Sequence, residues 1–169
     1  MRTILRVIDS ISDWSGKTIR WLGVFLVVVV TTEVTMRYVF NRPTMWAFET
    51  SIMLGAAIYA IAWSYAQRHH AHVRVDVLYT HLSPRKKAII DVVGYSLLFI
   101  PLIIILVDAS ITNAWEAWVA RERMEKTFWY PPATPLRTVV ALGFVLLALQ
   151  GAAQLFRDFY FLVRNKPYD

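Results

Sequence analysis

Cysteine is absent from the 169-residue sequence, which excludes disulfide bonds, thiolate metal sites and cysteine-based catalysis or redox chemistry. Charged residues are scarce, at 18%, whereas a soluble domain carries about 25%. No histidine lies inside a long apolar run, so a haem held by two histidines between membrane helices would have no ligands. No Gly-x-Ser-x-Gly sequence is present either, and an enzyme is not expected.

The four histidines lie together with Asp76 between the second and third apolar runs. They lack the His-x-x-x-His spacing that places two metal ligands on one helix face. An ordinary basic loop is favoured over a metal site, and no metal or cofactor is predicted. The residues are His69, His70, His72 and His81.

Apolar residues make up 57% of the sequence, and the mean hydropathy is +0.44. They form four runs, each close to the roughly 20 residues that a helix needs to cross a bilayer. The sequence therefore predicts an all-α integral membrane protein with four transmembrane helices, at about 19–39, 46–66, 88–107 and 138–156. No internal repeat is found, so the inverted-repeat core of a transporter is not supported.

The segment 1–18 has a two-sided pattern. At about 100° per residue, its apolar side chains share one face and its charged side chains lie opposite. The apolar set is Ile4, Val7, Ile8, Ile11 and Trp14, and the charged set is Arg2, Arg6, Asp9 and Asp13. This pattern predicts an amphipathic helix in the membrane interface, or alternatively a helix packed on a partner protein. A transmembrane domain over 19–160 and a cytoplasmic tail over 161–169 are expected to follow.

Lysine and arginine predict the orientation. Twelve of them lie in the N-terminal tail, the loop between the second and third spans and the C-terminal tail, against six in the other two loops. Because basic residues concentrate on the cytoplasmic side, both termini and the middle loop are expected in the cytoplasm. The net charge of +6 is then explained by anionic lipid rather than nucleic acid. No cleavable signal peptide is expected, because no small-residue cleavage site follows the first run.

The connection between the first two spans is expected to form a hairpin. Pro43 lacks a backbone N–H and disfavours a helical conformation at Arg42. Asn41 tolerates turn geometry. Thr44 is expected to cap the second helix, beginning at about Met45.

Four carboxylates lie near span ends, where each is a candidate functional group because burying it is costly. They are Glu33, Glu49, Asp91 and Asp108. Glu33 and Arg37 are four residues apart on one helix and are expected to pair. Glu49 is within reach of Arg37 or Arg42. Structural or interface roles are favoured over proton or ion carriage.

The loop between the third and fourth spans is the second informative segment. Two tryptophans at its start match the aromatic belt of a membrane surface. The charged stretch 121–126 is expected to extend the third helix, with Glu122 and Lys126 as i,i+4 neighbours. The segment 128–135 combines aromatic residues with prolines. It is interpreted either as an interfacial re-entry loop or as a docking surface for an external partner.

The hairpin sequence Arg37-Tyr-x-Phe-Asn-x-Pro-x-x-Trp46-x-x-Glu49 resembles the signature of the small, DctQ-type membrane subunit of TRAP (tripartite ATP-independent periplasmic) transporters. His72-Val-Arg-Val-Asp76, Gly143-Phe and Leu149-Gln150 are similar to later motifs of that family. The resemblance covers chain size, four spans, inside termini and motif order. Two parts depart from the family pattern. One is the approach to His72, where a glycine-containing turn would be expected. The other is the loop between the third and fourth spans, which we call the second outer loop after its expected orientation.

The resemblance implies a small permease subunit in the bacterial inner membrane. It would act as a scaffold for a much larger membrane subunit, which carries the substrate together with sodium. A periplasmic solute-binding protein would deliver the substrate, commonly an organic acid. The alternatives are the membrane anchor subunit of a redox enzyme complex and a free-standing channel or carrier.

Three groups of residues receive roles as hypotheses. In the hairpin, Arg37 and Glu49 form an electrostatic latch, Asn41 and Pro43 shape the turn, and Trp46 anchors the larger subunit. The cytoplasmic loop motif comprises His72, Arg74 and Asp76. Docking of the binding protein is assigned to Trp129, Tyr130, Pro131 and Pro132.

Overall fold

The computed structural model describes residues 2–69 and 83–164. Within these ranges, four helices are long and apolar enough to cross a membrane, which confirms the predicted all-α architecture. The predicted cytoplasmic motif of His72, Arg74 and Asp76 lies outside the described residues, as do the other histidines of that loop except His69.

One long helix at the edge and one at the centre define the bundle. The helices are α1 (Arg2–Tyr38), α2 (Ala47–Arg68), α3 (Pro84–Gly94), α4 (Ile100–Val119) and α5 (Thr134–Arg164). α5 packs against α2, α3 and α4, whereas α1 packs mainly against α2. In the most apolar stretch of α1 no residue is buried, whereas in the most apolar stretch of α5 a third of the residues are buried. α5 is therefore the core of the fold, and α1 offers its apolar surface outward.

A single π-helical turn, Tyr95–Phe99, joins α3 to α4. Together they form one continuous helix over 85–119. Pro101 lies in the first turn of α4 and cannot donate a backbone hydrogen bond to the preceding turn. The π-helical turn ends two residues before this proline, and both features are common causes of a bend in a helix.

α1 runs for 37 residues, about 56 Å at 1.5 Å per residue, and has no break at residue 18. No proline interrupts it, and the hydroxyl groups of Ser10 and Thr18 donate to carbonyls of their own helix, at 2.8 and 3.0 Å. The predicted interfacial segment is thus continuous with the first span. Its apolar face, including Ile4 and Trp14, is exposed, and Asp9, Ser12 and Asp13 contact the bundle.

α2 and α5 lie close together at Gly143, which is buried. A Cβ atom added there would lie 2.6 Å from the backbone oxygen of Ala60 and 2.7 Å from its Cβ atom. Both distances are below van der Waals contact, so only glycine fits while the helices keep this separation.

We therefore expect Gly143→Ala to push α2 and α5 apart and to lower the free energy of unfolding by about 1–3 kcal/mol. The measurement is unfolding of the purified protein in detergent. Gly55→Ala is the matched control, because no atom lies within 4 Å of the position that its Cβ would take. Alanine there should leave stability unchanged or raise it by up to about 1 kcal/mol. Equal stability of the two variants would contradict this description of the helix contact.

Candidate functional site

The hairpin between α1 and α2, which we call the first outer hairpin after its expected orientation, is organised by Glu33, near the end of α1. Its Oε1 atom accepts hydrogen bonds from Arg37, with Nε at 3.0 Å and Nη2 at 2.6 Å. Its Oε2 atom accepts the backbone N–H of Thr44 at 3.0 Å and also the Thr44 hydroxyl. The predicted pairing of Glu33 with Arg37 is confirmed. One carboxylate thus ties the end of α1 to the residues that precede α2.

The predicted cap of α2 by Thr44 is wrong. α2 begins at Ala47, Trp46 is its N-cap residue, and no side chain caps it. Thr44 lies two residues before the N-cap position, and both its N–H and its hydroxyl donate to Glu33. The turn itself passes through Asn41, whose φ of 49° is a left-handed conformation that asparagine adopts more readily than most residues.

Glu49 lies in the first turn of α2 and is fully buried. Its Oε1 atom accepts the backbone N–H groups of Lys126 and Thr127, both at 3.0 Å. Its Oε2 atom is buried and has no partner within the described residues. Glu49 therefore connects α2 to the second outer loop.

The expected pairing of Glu49 with Arg37 or Arg42 is not formed among the described residues. Arg37 is bound by Glu33 one turn earlier on its own helix, while Glu49 faces the second outer loop. An electrostatic latch of Arg37 with Glu49 is corrected to two separate contacts. Glu33 closes the first hairpin, and Glu49 holds the second loop.

The predicted helical extension over 121–126 is also wrong, because α4 ends at Val119. Arg121 has a φ of 50°, which turns the chain out of the helix. Glu122 then pairs with Arg137 of α5 rather than with Lys126. The guanidinium of Arg137 also donates to the carbonyl of Asn113 at 3.3 Å, so the start of the loop is fixed to both α4 and α5.

Backbone hydrogen bonds give the second outer loop a defined shape. The N–H of Met124 donates to Pro131 at 2.8 Å, and that of Ala133 donates to Glu122 at 2.9 Å. These bonds pair the two arms of a short hairpin. The tip between them carries Phe128, which is 82% exposed.

Three of the four predicted docking residues are accessible. Trp129, Tyr130 and Pro132 are exposed, whereas Pro131 is buried. Tyr130 has a φ of 48°, a strained conformation for an aromatic residue. The tip is therefore an aromatic surface on a hydrogen-bonded frame, without a contribution from the Pro131 side chain.

A polar network at the opposite end of the bundle was not predicted. Asp9 of α1 pairs with Arg157 of α5 at 2.6 Å and accepts the Gln150 side-chain amide at 3.2 Å. Gln150 is fully buried and accepts the Ser12 hydroxyl at 3.0 Å. These contacts fix the first part of α1 to α5. A sequence signal existed, since Gln150 is a polar residue within an otherwise apolar span.

α2 joins the same network through its last residues. Arg68 pairs with Asp13 at 2.7 Å and donates to the backbone oxygen of Asp9. The imidazole of His69 lies 3.3 Å from the Asp13 carboxylate. The one described histidine of the basic loop thus faces a carboxylate of α1. Of the other two candidate carboxylates, Asp91 is half-buried in α3 and Asp108 is exposed on α4.

Comparison with known proteins gives one family. Residues 26–160 match the model of the family described as "Tripartite ATP-independent periplasmic transporters, DctQ component". No curated protein matches the chain. The matched region contains both outer hairpins, and it begins within α1 after Asp9 and Asp13.

Proposed function

The chain belongs to the DctQ component family of the tripartite ATP-independent periplasmic transporters, and from this we propose that it is the small membrane subunit of such a transporter. The family is one of transporter components rather than enzymes. The match over 26–160 carries the proposal, because it includes the end of the first candidate span, all of the second and third, and most of the fourth. The alternative of a redox-enzyme anchor has no support.

In this proposal the chain is a scaffold for the large membrane subunit during sodium-coupled uptake of an organic acid. A periplasmic binding protein delivers the acid. The protein lies in the bacterial inner membrane with both termini in the cytoplasm, in keeping with the excess of lysine and arginine in the tails and the middle loop.

The uncovered apolar surface of α1 supports a scaffold role. Val27 and Phe25 are 65% and 60% exposed, and their neighbours along the helix are similarly uncovered. Lipid and a second membrane protein are the two surroundings that such a surface suits. The carboxylates near the outer end, Glu33 and Glu49, are occupied by fixed hydrogen bonds. Carboxylates held in this way favour a structural role over a role in binding or carrying a transported ion or solute.

The residue roles follow the corrected geometry. Arg37, Asn41, Pro43 and Trp46 form the rim that meets the large subunit. Trp129, Tyr130 and Pro132 of the second outer loop meet the binding protein. The motif of His72, Arg74 and Asp76 keeps its proposed place in the cytoplasmic loop.

Reconstitution tests the function. The chain is expected to co-purify with the large subunit, and vesicles holding both should take up the acid when the loaded binding protein and an inward sodium gradient are present. Vesicles that contain this chain alone should take up none. Transport by the chain alone, or full uptake by the large subunit without it, would contradict the proposal.

A further inference from the structure

A cleft of about 450 Å³ opens on the second outer loop, between the end of α4 and the start of α5. Its lining residues are Trp118, Arg121, Arg123, Pro132 and Thr134. We call it the outer cleft. It contains two arginines and an aromatic side chain, a composition typical of the centre of protein interfaces.

The two arginines of the outer cleft have no carboxylate partner within residues 2–69 and 83–164. The Nη1 atom of Arg123 lies 3.5 Å from the carbonyl of Tyr130, a long contact with a neutral group. Glu122, the acid between them in sequence, is paired with Arg137 instead. Two positive charges therefore stand uncompensated at the surface of the cleft.

The backbone that carries these arginines is fixed. The N–H of Glu122 donates to Ala117 at 3.1 Å, and Arg123 and Pro132 form an antiparallel bridge across the loop. Because the backbone of the loop is already ordered, a ligand that binds between the two arginines does not have to order it.

We propose that the outer cleft binds carboxylate side chains on the surface of the periplasmic binding protein. This inference rests on the proposed function and adds the chemistry of the contact. The guanidinium fork of arginine matches a carboxylate with two parallel hydrogen bonds. Trp118, which is 68% exposed, supplies a flat apolar wall beside the charges. The partner surface that fits is acidic, with an apolar margin.

The position of the cleft favours a protein over a lipid headgroup. Arg137 bonds to the carbonyl of Asn113, and the uncharged stretch of α5 begins just after it, which marks the upper edge of the apolar zone. Val119, the last residue of α4, lies about 9 Å further along that helix. The headgroup layer is only about 5–7 Å deep on each side, so the part of the cleft that follows the end of α4, with Arg121 and Arg123, reaches the outer boundary of that layer.

The test compares binding-protein affinity for two versions of the complete membrane complex in nanodiscs. Arg121→Glu with Arg123→Glu reverses both charges of the cleft. Arg42→Glu with Lys126→Glu makes the same change in net charge on the outer face but outside the cleft. We expect the first pair to weaken binding at least about tenfold and to reduce its salt dependence, and the second pair to change it less than about twofold.

Arg121→Gln with Arg123→Gln removes the charges without adding repulsion and serves if the reversed pair does not assemble. It should weaken binding about fivefold or more while the large subunit still co-purifies. Wild-type affinity in this variant would overturn the proposal. So would a loss confined to binding of phosphatidylglycerol vesicles, which would assign the cleft to lipid. Failure of the wild-type complex to bind the binding protein at all would instead overturn the proposed function itself.

Discussion

Replacing Glu49 with alanine is expected to free the second outer loop and to lower the free energy of unfolding by about 2–4 kcal/mol. The buried carboxylate accepts the N–H groups of both Lys126 and Thr127. Alanine would leave these two donors without an acceptor and would open a cavity at the start of α2. Hydrogen exchange of the two amides measures the release directly.

Glu49→Gln separates the hydrogen bonds from the charge. A single oxygen, Oε1, accepts both amides, and Oε2 has no partner among the described residues. Glutamine keeps that acceptor and removes a buried charge, but it places two N–H donors without a partner at the position of Oε2, so the loss of stability should be about 1–2 kcal/mol, smaller than in Glu49→Ala. Glu125→Ala, an exposed acid of the same loop, is the matched control and should change stability by less than about 0.5 kcal/mol.

The effect of Glu49→Ala on assembly distinguishes a role of Glu49 in contacting the large subunit from a role in supporting the second outer loop. A fully buried side chain does not touch another subunit, so recovery of the large subunit is expected to be unchanged. Uptake that depends on the binding protein should fall, because the aromatic tip loses its support. Unchanged protection of the Lys126 and Thr127 amides in Glu49→Ala would contradict the whole assignment.

The four spanning helices were predictable because their signal is local. A run of about 20 apolar residues specifies a membrane helix without reference to the rest of the chain. The pairing of Glu33 with Arg37 was predictable for the same reason, since four residues bring two side chains together on one helix. Family membership was likewise predictable from the hairpin motif around Pro43 and Trp46.

The errors arose where a distant residue competed with a near one. Glu122 has Lys126 four residues away, but Arg137 of α5 binds it instead, and the helix ends early. Thr44 has a side chain suited to a cap, but it donates to Glu33 of α1 through its N–H and its hydroxyl, and α2 begins three residues later. Such choices depend on how the helices pack, which local spacing does not contain.

The network at the other end of the bundle shows the same limit more strongly. Asp9 and Gln150 are 141 residues apart, and Asp9 was placed on a water-facing side of an amphipathic helix. In the fold Asp9 pairs with α5 and Asp13 pairs with α2, and the apolar side is the exposed one. Helical periodicity separates the polar face from the apolar face. It does not show which face packs on the rest of the protein when the bundle offers polar side chains and the membrane offers an apolar surface.

Asp9→Ala is the second large effect that we expect, with a loss of about 2–4 kcal/mol. The carboxylate is the ion-pair partner of Arg157, and it accepts the side-chain amide of Gln150. Both donors would remain in a mostly buried place without their acceptor. The side chains of the ion pair are 24% and 20% exposed, so water compensates part of the loss, and the estimate stays below that for a fully buried pair.

The change should be local to the first part of α1, since the network is the contact that fixes this segment to α5. Limited proteolysis and hydrogen exchange should show residues 2–17 released in Asp9→Ala, with α2 and α5 still protected. Asp9→Asn retains an acceptor for Gln150 but removes the negative charge that pairs with Arg157. We expect it to cause about half of the destabilisation of Asp9→Ala. Asp108→Ala, at an exposed carboxylate of α4, is the control and should stay within about 0.5 kcal/mol. Wild-type protection of residues 2–17 in Asp9→Ala would contradict this role of Asp9, and would mean that the pair of Asp13 with Arg68 and the hydrogen bond of Ser12 to Gln150 are sufficient to hold the segment.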